Sequence, residues 1–472
     1  MTEPMDKQSH MRCSDIVRAT GGRLIQGNPE TLFAGLSTDT RTIREGEAFL
    51  ALRGERFDGH AFVREAAKKG AAGTIVQNGD LAHAIMDSIA SIPIIAVPET
   101  LRALGDTARY WRDRFSIPVI GITGSNGKTT TKEMIAFLLE ERFHVLKNPS
   151  NFNNLVGLPL TLLSLEPRHE AAVVEMGTNK PGEIGRLAEI ARPTVGIITN
   201  IGQAHLEGMG SMETLVKEKG DLFRAVAPDG TVVVNTNDPY VASLAGGLTA
   251  KTISYGVNTK ADVMIDRVRC RGSRGMTCRI LTGEEEGTIS LSVVGLQFAS
   301  TVAAAAAVAR CFDMDVKTIT DRLTAFKPLP MRMEVVSLEG ITFINDAYNA
   351  NPPSVQIALE TLARIEPKGR TFVVLGDMLE LGDISQTAHR RVGQLLGTLN
   401  VAGVFLLGAH ATDVVEGAVE KGMIRDRIWI ARTHRDIVNL LKAHINPGDW
   451  VLVKGSRGMR MEAVIDAFRD KN

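Results

Sequence analysis

Gly121-Ile122-Thr123-Gly124-Ser125-Asn126-Gly127-Lys128-Thr129-Thr130 is the stretch whose reading decides the fold of this chain. The apolar run Ile117 to Ile120 before it reads as a buried strand. After it, Ile135, Leu138 and Leu139 recur on one helical face. Strand, glycine loop, Lys-Thr and helix is the layout of a phosphate-binding loop. The glycines let backbone N–H groups turn toward phosphate oxygens. Lys128 supplies a point charge, Thr129 offers a hydroxyl to Mg²⁺, and the helix N-terminus adds its positive end. A strict G-x-x-x-x-G-K-[ST] pattern needs glycine where Ile122 stands, so this loop is a variant. An ordinary glycine turn is the alternative, but Gly-Lys-Thr-Thr at a helix start weighs against it.

Outward from the loop, apolar runs alternate with helix-length patterns. Ala171 to Val174, Val195 to Ile198 and Thr231 to Val234 predict a largely parallel sheet flanked by helices. Short alternating runs with glycine turns from Asp262 to Val294 predict an added antiparallel ribbon, followed by a helix over Ser300 to Phe312. Upstream, Glu99 to Arg114 predicts an amphipathic helix. The segment before it mixes strand-like runs (Gly73 to Val76, Ile92 to Val97) with a helix at His60 to Gly70. Its polar clusters, Ser37 to Arg41 and Gly54 to His60, are either binding loops or solvated ones. Downstream, Lys327-Pro328-Leu329-Pro330 reads as a linker. Strand-like runs then recur at Ile341 to Ile344, Thr371 to Leu375, Val404 to Leu407, Ile428 to Ala431 and Trp450 to Val453, a second doubly wound unit. The expected architecture is α/β with three domains: a small N-terminal α/β substrate domain over 1–98, a central P-loop parallel-sheet ATPase domain over 99–327 and a Rossmann-like C-terminal domain over 328–472.

Composition agrees with three cores, since 472 residues exceed one ordinary domain of roughly 100–200. Lys+Arg and Asp+Glu both number 54, so no basic field points to nucleic acid. Cys13, Cys270, Cys278 and Cys311 have no C-x-x-C spacing and read as free thiols in a reducing compartment. Met1 to Ser14 is polar and has no apolar secretory core, and the Ala-rich run Val302 to Ala309 is too short to cross a bilayer. A monomeric cytoplasmic protein with no membrane or nucleic-acid partner is expected.

Four positions invite chemistry. Glu175 directly follows Ala171 to Val174, at the carboxyl end of its strand, where ligands of parallel sheets bind. There it is either a Mg²⁺ ligand or a surface or capping acid. Asp346 stands likewise after Ile341 to Ile344. His205 lies in the loop after Val195 to Ile198 and is either solvent-exposed or functional. Ser211 can cap a helix with Glu213 in its first turn and an apolar stripe of Leu215, Leu222, Phe223 and Val226. Lys219 falls on that stripe and Lys217 on the other face. A lysine so placed either snorkels to the rim or is held as a neutral amine open to modification or ligand binding.

Taken together these residues resemble the Mur ligases, the ATP-dependent amide-forming enzymes of peptidoglycan synthesis, over nearly the whole chain. The central loop is similar to the family's Thr-Gly-x-Asn-Gly-Lys-Thr form, which accounts for Ile122. Four stretches resemble the branch that adds D-alanyl-D-alanine: Asn151-Phe152-Asn153-Asn154 with Gly157-Leu158-Pro159, Asn345 to Pro352, Gly376 to Gly382, and Lys454-Gly455-Ser456-Arg457.

The resemblance implies roles. Gly124, Ser125, Asn126, Gly127, Lys128, Thr129 and Thr130 would hold the ATP triphosphate. Thr129 and Glu175 would bind one Mg²⁺. His205 and Lys219 would serve a second, with Lys219 carbamylated by CO₂. Arg332 and Asp346 would reach ATP from the third domain. Lys128, Lys219, His205 and Arg332 form the implied catalytic set. Ser37, Asp39, Arg41 and His60 would bind the uridine end of UDP-N-acetylmuramoyl-tripeptide. Asn151, Asn153, Asn154, Asn349, Lys454 and Ser456 would face the substrates, including the incoming dipeptide. One departure stands out: the family's Gly-x-His-Asn-x-x-Asn adenine pattern is replaced by Gly295-Leu296-Gln297-Phe298-Ala299-Ser300-Thr301.

The implied reaction activates a carboxylate as an acyl phosphate, neutralises the transferring phosphoryl group and lets an amine attack away from water. Competing readings are another ligase of the superfamily (diaminopimelate- or lysine-adding, folylpolyglutamate or cyanophycin type), a P-loop switch or motor ATPase, and a catalytically dead scaffold.

Overall fold

The computed structural model describes residues 10–54, 57–78, 92–149, 151–202, 209–365 and 369–469. Three large sheets follow one another along the chain. The first has five strands in the order Arg23–Gln26, Ile94–Val97, Gly73–Gln77, Glu47–Leu50, Gly35–Ser37, parallel except for the first pair. The expected helix at His60 to Gly70 begins as a 3-10 turn over Gly59–Phe62, capped by Asp58, and becomes α-helical only over Val63–Lys68.

The central sheet has nine strands. Val119–Thr123 lies between Ala171–Glu175 and Val195–Ile198, with parallel pairing on both sides. The strand ends later than the apolar run suggested because Gly121 and Ile122 continue both ladders and Thr123 pairs with Ile198. Alternate residues feed two cores. Ile120 and Ile122 meet the helices Lys128–Leu139 and Gln297–Arg310, whereas Val119 joins the core under Thr100–Arg112, Glu183–Ala191 and Met212–Ala225. Burial on both faces is why these strands read as continuous apolar runs.

A parallel strand at Lys251–Val257 escaped the sequence reading. Lys251, Thr252 and Ser254 break its apolar pattern. It is also what joins the antiparallel ribbon to the sheet: Val263–Cys270 pairs parallel with it, then antiparallel with Met276–Thr282, which pairs with Glu285–Leu291. The ribbon therefore extends the central sheet.

The third sheet runs Glu334–Leu338, Ile341–Asp346, Trp450–Lys454, Thr371–Gly376, Gly403–Leu407, Ile428–Ala431. Only its first strand, also missed, is antiparallel. Helices cover both faces, and Asp346, Lys454 and Gly376 share the carboxyl edge. Among the described residues no helix is long and apolar enough to cross a membrane.

Candidate active site

The carboxyl edges of the second and third sheets face each other across a cavity of about 870 Å³. On the central edge, Gly124 takes φ +148°, and a Cβ there would sit 1.9 Å from Thr199 Oγ1. Only glycine lets the loop turn this close to the neighbouring strand end. Asn200 clamps the loop: its carbonyl accepts Ser125 N–H at 2.9 Å and its Oδ1 accepts Asn126 N–H at 3.0 Å. The first intrahelical bond is Thr131 N–H to the Gly127 carbonyl, 2.9 Å. The amides of the first turn are thereby left for a ligand, at the positive end of the helix.

Lys128 Nζ folds back to donate to the Gly124 carbonyl at 2.8 Å. Burial pulls its pKa down and Arg332 adds to this, while Glu175 opposes. Thr129 Oγ1 donates to Glu175 Oε2 at 2.7 Å, and Arg332 Nη2 crosses from the third unit to Thr129 Oγ1 at 2.9 Å. The Arg332 guanidinium stacks on the Tyr348 ring, 4.0 Å from its centroid.

Glu175 is held from several sides. Asn153 Nδ2 donates to Oε1 at 2.7 Å. Asn148 brackets its backbone, accepting Glu175 N–H at 2.9 Å and donating to its carbonyl at 3.0 Å. Asn148 is fixed in turn by the fully buried Lys132, whose ammonium reaches the Asn148 carbonyl at 2.5 Å. Sequence reasoning missed Asn148 and Lys132. The only signal was a second lysine one helical turn beyond Lys128, just before the apolar half of the helix. A hydroxyl and a carboxylate converging on the loop are hard oxygen donors, the set Mg²⁺ prefers. Among the described residues no three His, Cys, Asp or Glu side chains form a metal cage. Mg²⁺ takes few protein ligands and completes its shell with phosphates and water.

Lys219 is 2% exposed, and Lys217, two positions away, is exposed. Desolvation, reinforced by the charge of Lys128, lowers the Lys219 pKa to about 7. Ser211 Oγ caps its helix by accepting Thr214 N–H at 3.1 Å. The adjacent Glu218, which sequence reasoning overlooked, is also buried. It accepts Gly182 N–H at 2.5 Å, Ile184 N–H at 2.7 Å and the Thr178 hydroxyl at 3.1 Å. It thus ties the Lys219 helix to the loop that leaves the Glu175 strand. His205 lies outside the described residues.

The other predicted residues divide. Asn151, Asn153, Asn154, Asp346, Asn349, Lys454 and Ser456 all line the cavity. Several have internal partners as well. Lys454 donates to Asp346 Oδ2 at 2.5 Å and to the Asn349 carbonyl at 2.8 Å. Asn154 Oδ1 accepts the Gly157 amide at 2.8 Å. Ser456 Oγ accepts Leu379 N–H at 2.8 Å. Asn351, in the stretch Asn345 to Pro352, donates through Nδ2 to Asn126 Oδ1 at 2.8 Å across the units.

Ser37, Asp39, Arg41 and His60 lie in the first unit and do not line this cavity. Arg41 pairs with Asp39 through two nitrogens and holds its carboxyl down to about 2. His60 is buried with both ring nitrogens engaged: Nε2 accepts Gln77 N–H at 2.9 Å, so Nδ1 carries the proton facing Asp58 Oδ1 at 2.5 Å.

The Ala-rich helix starts at Gln297, three residues before the expected Ser300. This places Gln297, Phe298 and Thr301 on the cavity wall. Gln297 Oε1 accepts the Thr361 hydroxyl of the third unit at 3.3 Å, and Phe298 is 4% exposed.

Family patterns match all three units: the Mur ligase family catalytic domain over residues 32–112, the Mur ligase middle domain over 122–309 and the Mur ligase glutamate ligase domain over 331–457. The UDP-N-acetylmuramoyl-tripeptide--D-alanyl-D-alanine ligase of Bacillus subtilis is 34% identical over 469 residues, 98% of each chain. The chain belongs to the Mur ligase family. Its members are ATP-dependent enzymes that form amide bonds. The enzyme of the same name from Synechocystis is 35% identical over 93% of this chain and 92% of its own. Among solved structures, MurF from Acinetobacter baumannii superposes with a TM-score of 0.88 at 29% identity, covering 98% of this chain and 99% of that one. MurF ligase from Thermotoga maritima, solved in complex with ADP, gives 0.81 at 30% identity over 92% and 96%.

Proposed function

We propose that this chain is the cytoplasmic ligase that joins D-alanyl-D-alanine to UDP-N-acetylmuramoyl-tripeptide, with ATP activating the tripeptide carboxylate as an acyl phosphate. The observation that carries this reading is the facing of two ligand-bearing sheet edges across one cavity, with Arg332 reaching Thr129 at 2.9 Å. Full-length similarity to ligases of that name supports the choice of substrates. The division into 1–98, 99–327 and 328–472 keeps each large sheet within one segment. The enzyme works as a monomer, since one chain supplies both walls of the cavity.

The loop amides and Lys128 bind the triphosphate, and Arg332 meets the transferring phosphoryl group from the opposite side. Thr129 and Glu175 would hold Mg²⁺, which would supply charge neutralisation. His205 and Lys219 would serve a second Mg²⁺. The lowered pKa of Lys219 gives the neutral amine that attacks CO₂; it loses a proton to water and becomes a carbamate anion. Asp346 meets the nucleotide and pairs with Lys454, which faces the incoming dipeptide. Ser37, Asp39 and Arg41 meet the uridine end, and His60 shapes that loop from beneath. The loop over 376–382, with Asn349 and Ser456 beside it, forms the wall for the incoming dipeptide.

The test is ADP release with each substrate omitted in turn. The ligase requires the UDP-linked tripeptide, ATP and the dipeptide together. Steady ATP turnover with neither acceptor nor tripeptide would favour a switch ATPase. Turnover with a free amino acid in place of the dipeptide would favour another ligase of the family.

A further inference from the structure

Two histidine rings are stacked behind the cavity wall formed by Leu379, Glu380 and Leu381. His389, on the helix Ser385–Thr398, is 3% exposed. Its ring lies 4.4 Å from that of His410, with 16° between the planes. Its Nε2 accepts Met378 N–H at 2.9 Å, and its Nδ1 lies 2.7 Å from the Ser385 carbonyl. A carbonyl can only accept, so Nδ1 carries a proton. An amide N–H can only donate, so Nε2 carries none. The two contacts define a single neutral tautomer.

The wall hangs from four anchors, one of them Ser456 N–H donating to the Asp377 carbonyl at 3.0 Å. Met378 N–H is held by His389, Leu379 N–H by Ser456 Oγ, and Asp377 by the amides of Ala409 and His410 at 2.7 and 3.2 Å. The Asp377 anchor is sterically closed: a Cβ on Gly408, which sits at φ +137°, would lie 2.2 Å from Asp377 Oδ1. The His389 anchor differs because gaining one proton abolishes it, by setting an N–H against an N–H. The titratable groups acting on the ring are His410, Asp377 at 3.9 Å, and Asp413, which holds His410 Nδ1 at 2.9 Å. Burial lowers the ring's pKa and His410 adds to this. The Ser385 carbonyl and the two carboxylates oppose, and the net direction is downward.

We propose that His389 is a positioning residue for the acceptor substrate: by accepting Met378 N–H as a neutral ring, it holds Leu379 to Leu381 as the wall against which the incoming amine docks. The inference rests on reading the loop over 376–382 as that wall. ATP is read as held by the loop Gly124 to Thr130, with Arg332 and Asp346 reaching it from outside the loop over 376–382, so its affinity is independent of this anchor. Acceptor affinity falls when the ring is protonated.

The experiment uses the full-length enzyme and its two variants His389→Leu and His389→Gln. ADP release is followed from about pH 5.5 to 8.5 with D-alanyl-D-alanine as the varied substrate. Leu removes the acceptor atom. The Gln Oε1 can reach the same amide and does not titrate. His389→Leu is expected to raise the KM for the dipeptide about tenfold while the KM for ATP stays within about twofold. His389→Gln restores the dipeptide KM to within about threefold of the unaltered enzyme. It also removes the low-pH rise in KM beyond the part due to the dipeptide's own amine, which all variants share. Equal dipeptide KM values for Leu and Gln, or a KM for ATP rising in step, would overturn the proposal. If His389→Leu does not fold, the acid profile of His389→Gln decides alone, and coincidence with the unaltered enzyme overturns the inference. A lack of dipeptide-dependent ADP release in the unaltered enzyme overturns the functional reading, and this inference with it.

Discussion

Replacing Lys219 by Met should stabilise the protein and abolish ligation. The magnitude follows from the burial of the amine. An unfolded lysine keeps its ordinary pKa near 10.5, and the folded one is lowered to about 7 by desolvation and by Lys128. Moving that ammonium into the fold costs about 4 kcal/mol at pH 7, a penalty that Met, similar in length and apolar, does not carry. The sign follows from proton counts. Between about pH 7 and 10.5 the unfolded chain holds the proton that the folded chain has released, so stability climbs as pH rises through this window. Below pH 7 both states are protonated and the penalty is constant. Urea unfolding in CO₂-free buffer without nucleotide should therefore show a rising midpoint from pH 7 to 10 for the unaltered protein, a flatter profile for Lys219→Met, and a higher midpoint for the variant at pH 7. The same low pKa leaves about half the amine neutral at pH 7, roughly a thousandfold more than for a solvated lysine, which is what capture of CO₂ requires. Ligation by the unaltered enzyme should fall reversibly on removal of CO₂ and be absent in Lys219→Met. A variant no more stable than the parent, with a parallel pH profile, would show that the ammonium is not desolvated, and full activity would remove Lys219 from the site.

Lys128→Ala should leave the fold intact and lower turnover by roughly 3 kcal/mol of transition-state stabilisation or more, checked by ADP release from a protein with an unchanged circular dichroism spectrum. Glu175→Gln should keep its contact to Asn153 and raise the Mg²⁺ concentration needed for half-maximal activity about tenfold or more; an unchanged Mg²⁺ titration would take the carboxylate out of the metal site. Gln297→Ala tests base recognition: ATP-over-GTP selectivity lost in this variant means that Gln297 reads adenine, and selectivity that is weak from the start and unchanged means that Phe298 provides apolar contact only. Glu218→Gln should lower stability by about 1–3 kcal/mol, because an amide nitrogen is set against the N–H groups of Gly182 or Ile184, measured as a drop in the urea midpoint.

Local pattern carried the phosphate loop, the parallel strands around it and the face assignment of Lys219. Doubly buried strands are apolar throughout and glycine loops have a fixed chemistry, so both can be read without neighbours in space. The helix stripe of Leu215, Leu222 and Phe223 set Lys219 inward and Lys217 outward by period alone, as the structure has them. The strand Lys251–Val257 was illegible because Lys251, Thr252 and Ser254 interrupt its pattern; its place is set by pairing with Thr231–Asn235. Tertiary structure alone could supply partners. Nothing in sequence spacing says that Asn148 brackets the backbone of Glu175, that Lys132 lies beneath it, or that Lys454 spends its charge on Asp346. Nor does it say that His60 has both nitrogens engaged or that His389 carries one tautomer. Periodicity fixes which way a side chain points. What it meets there depends on contacts between segments tens to hundreds of residues apart, such as Arg332 with Thr129, and these exist only once the chain has closed on itself.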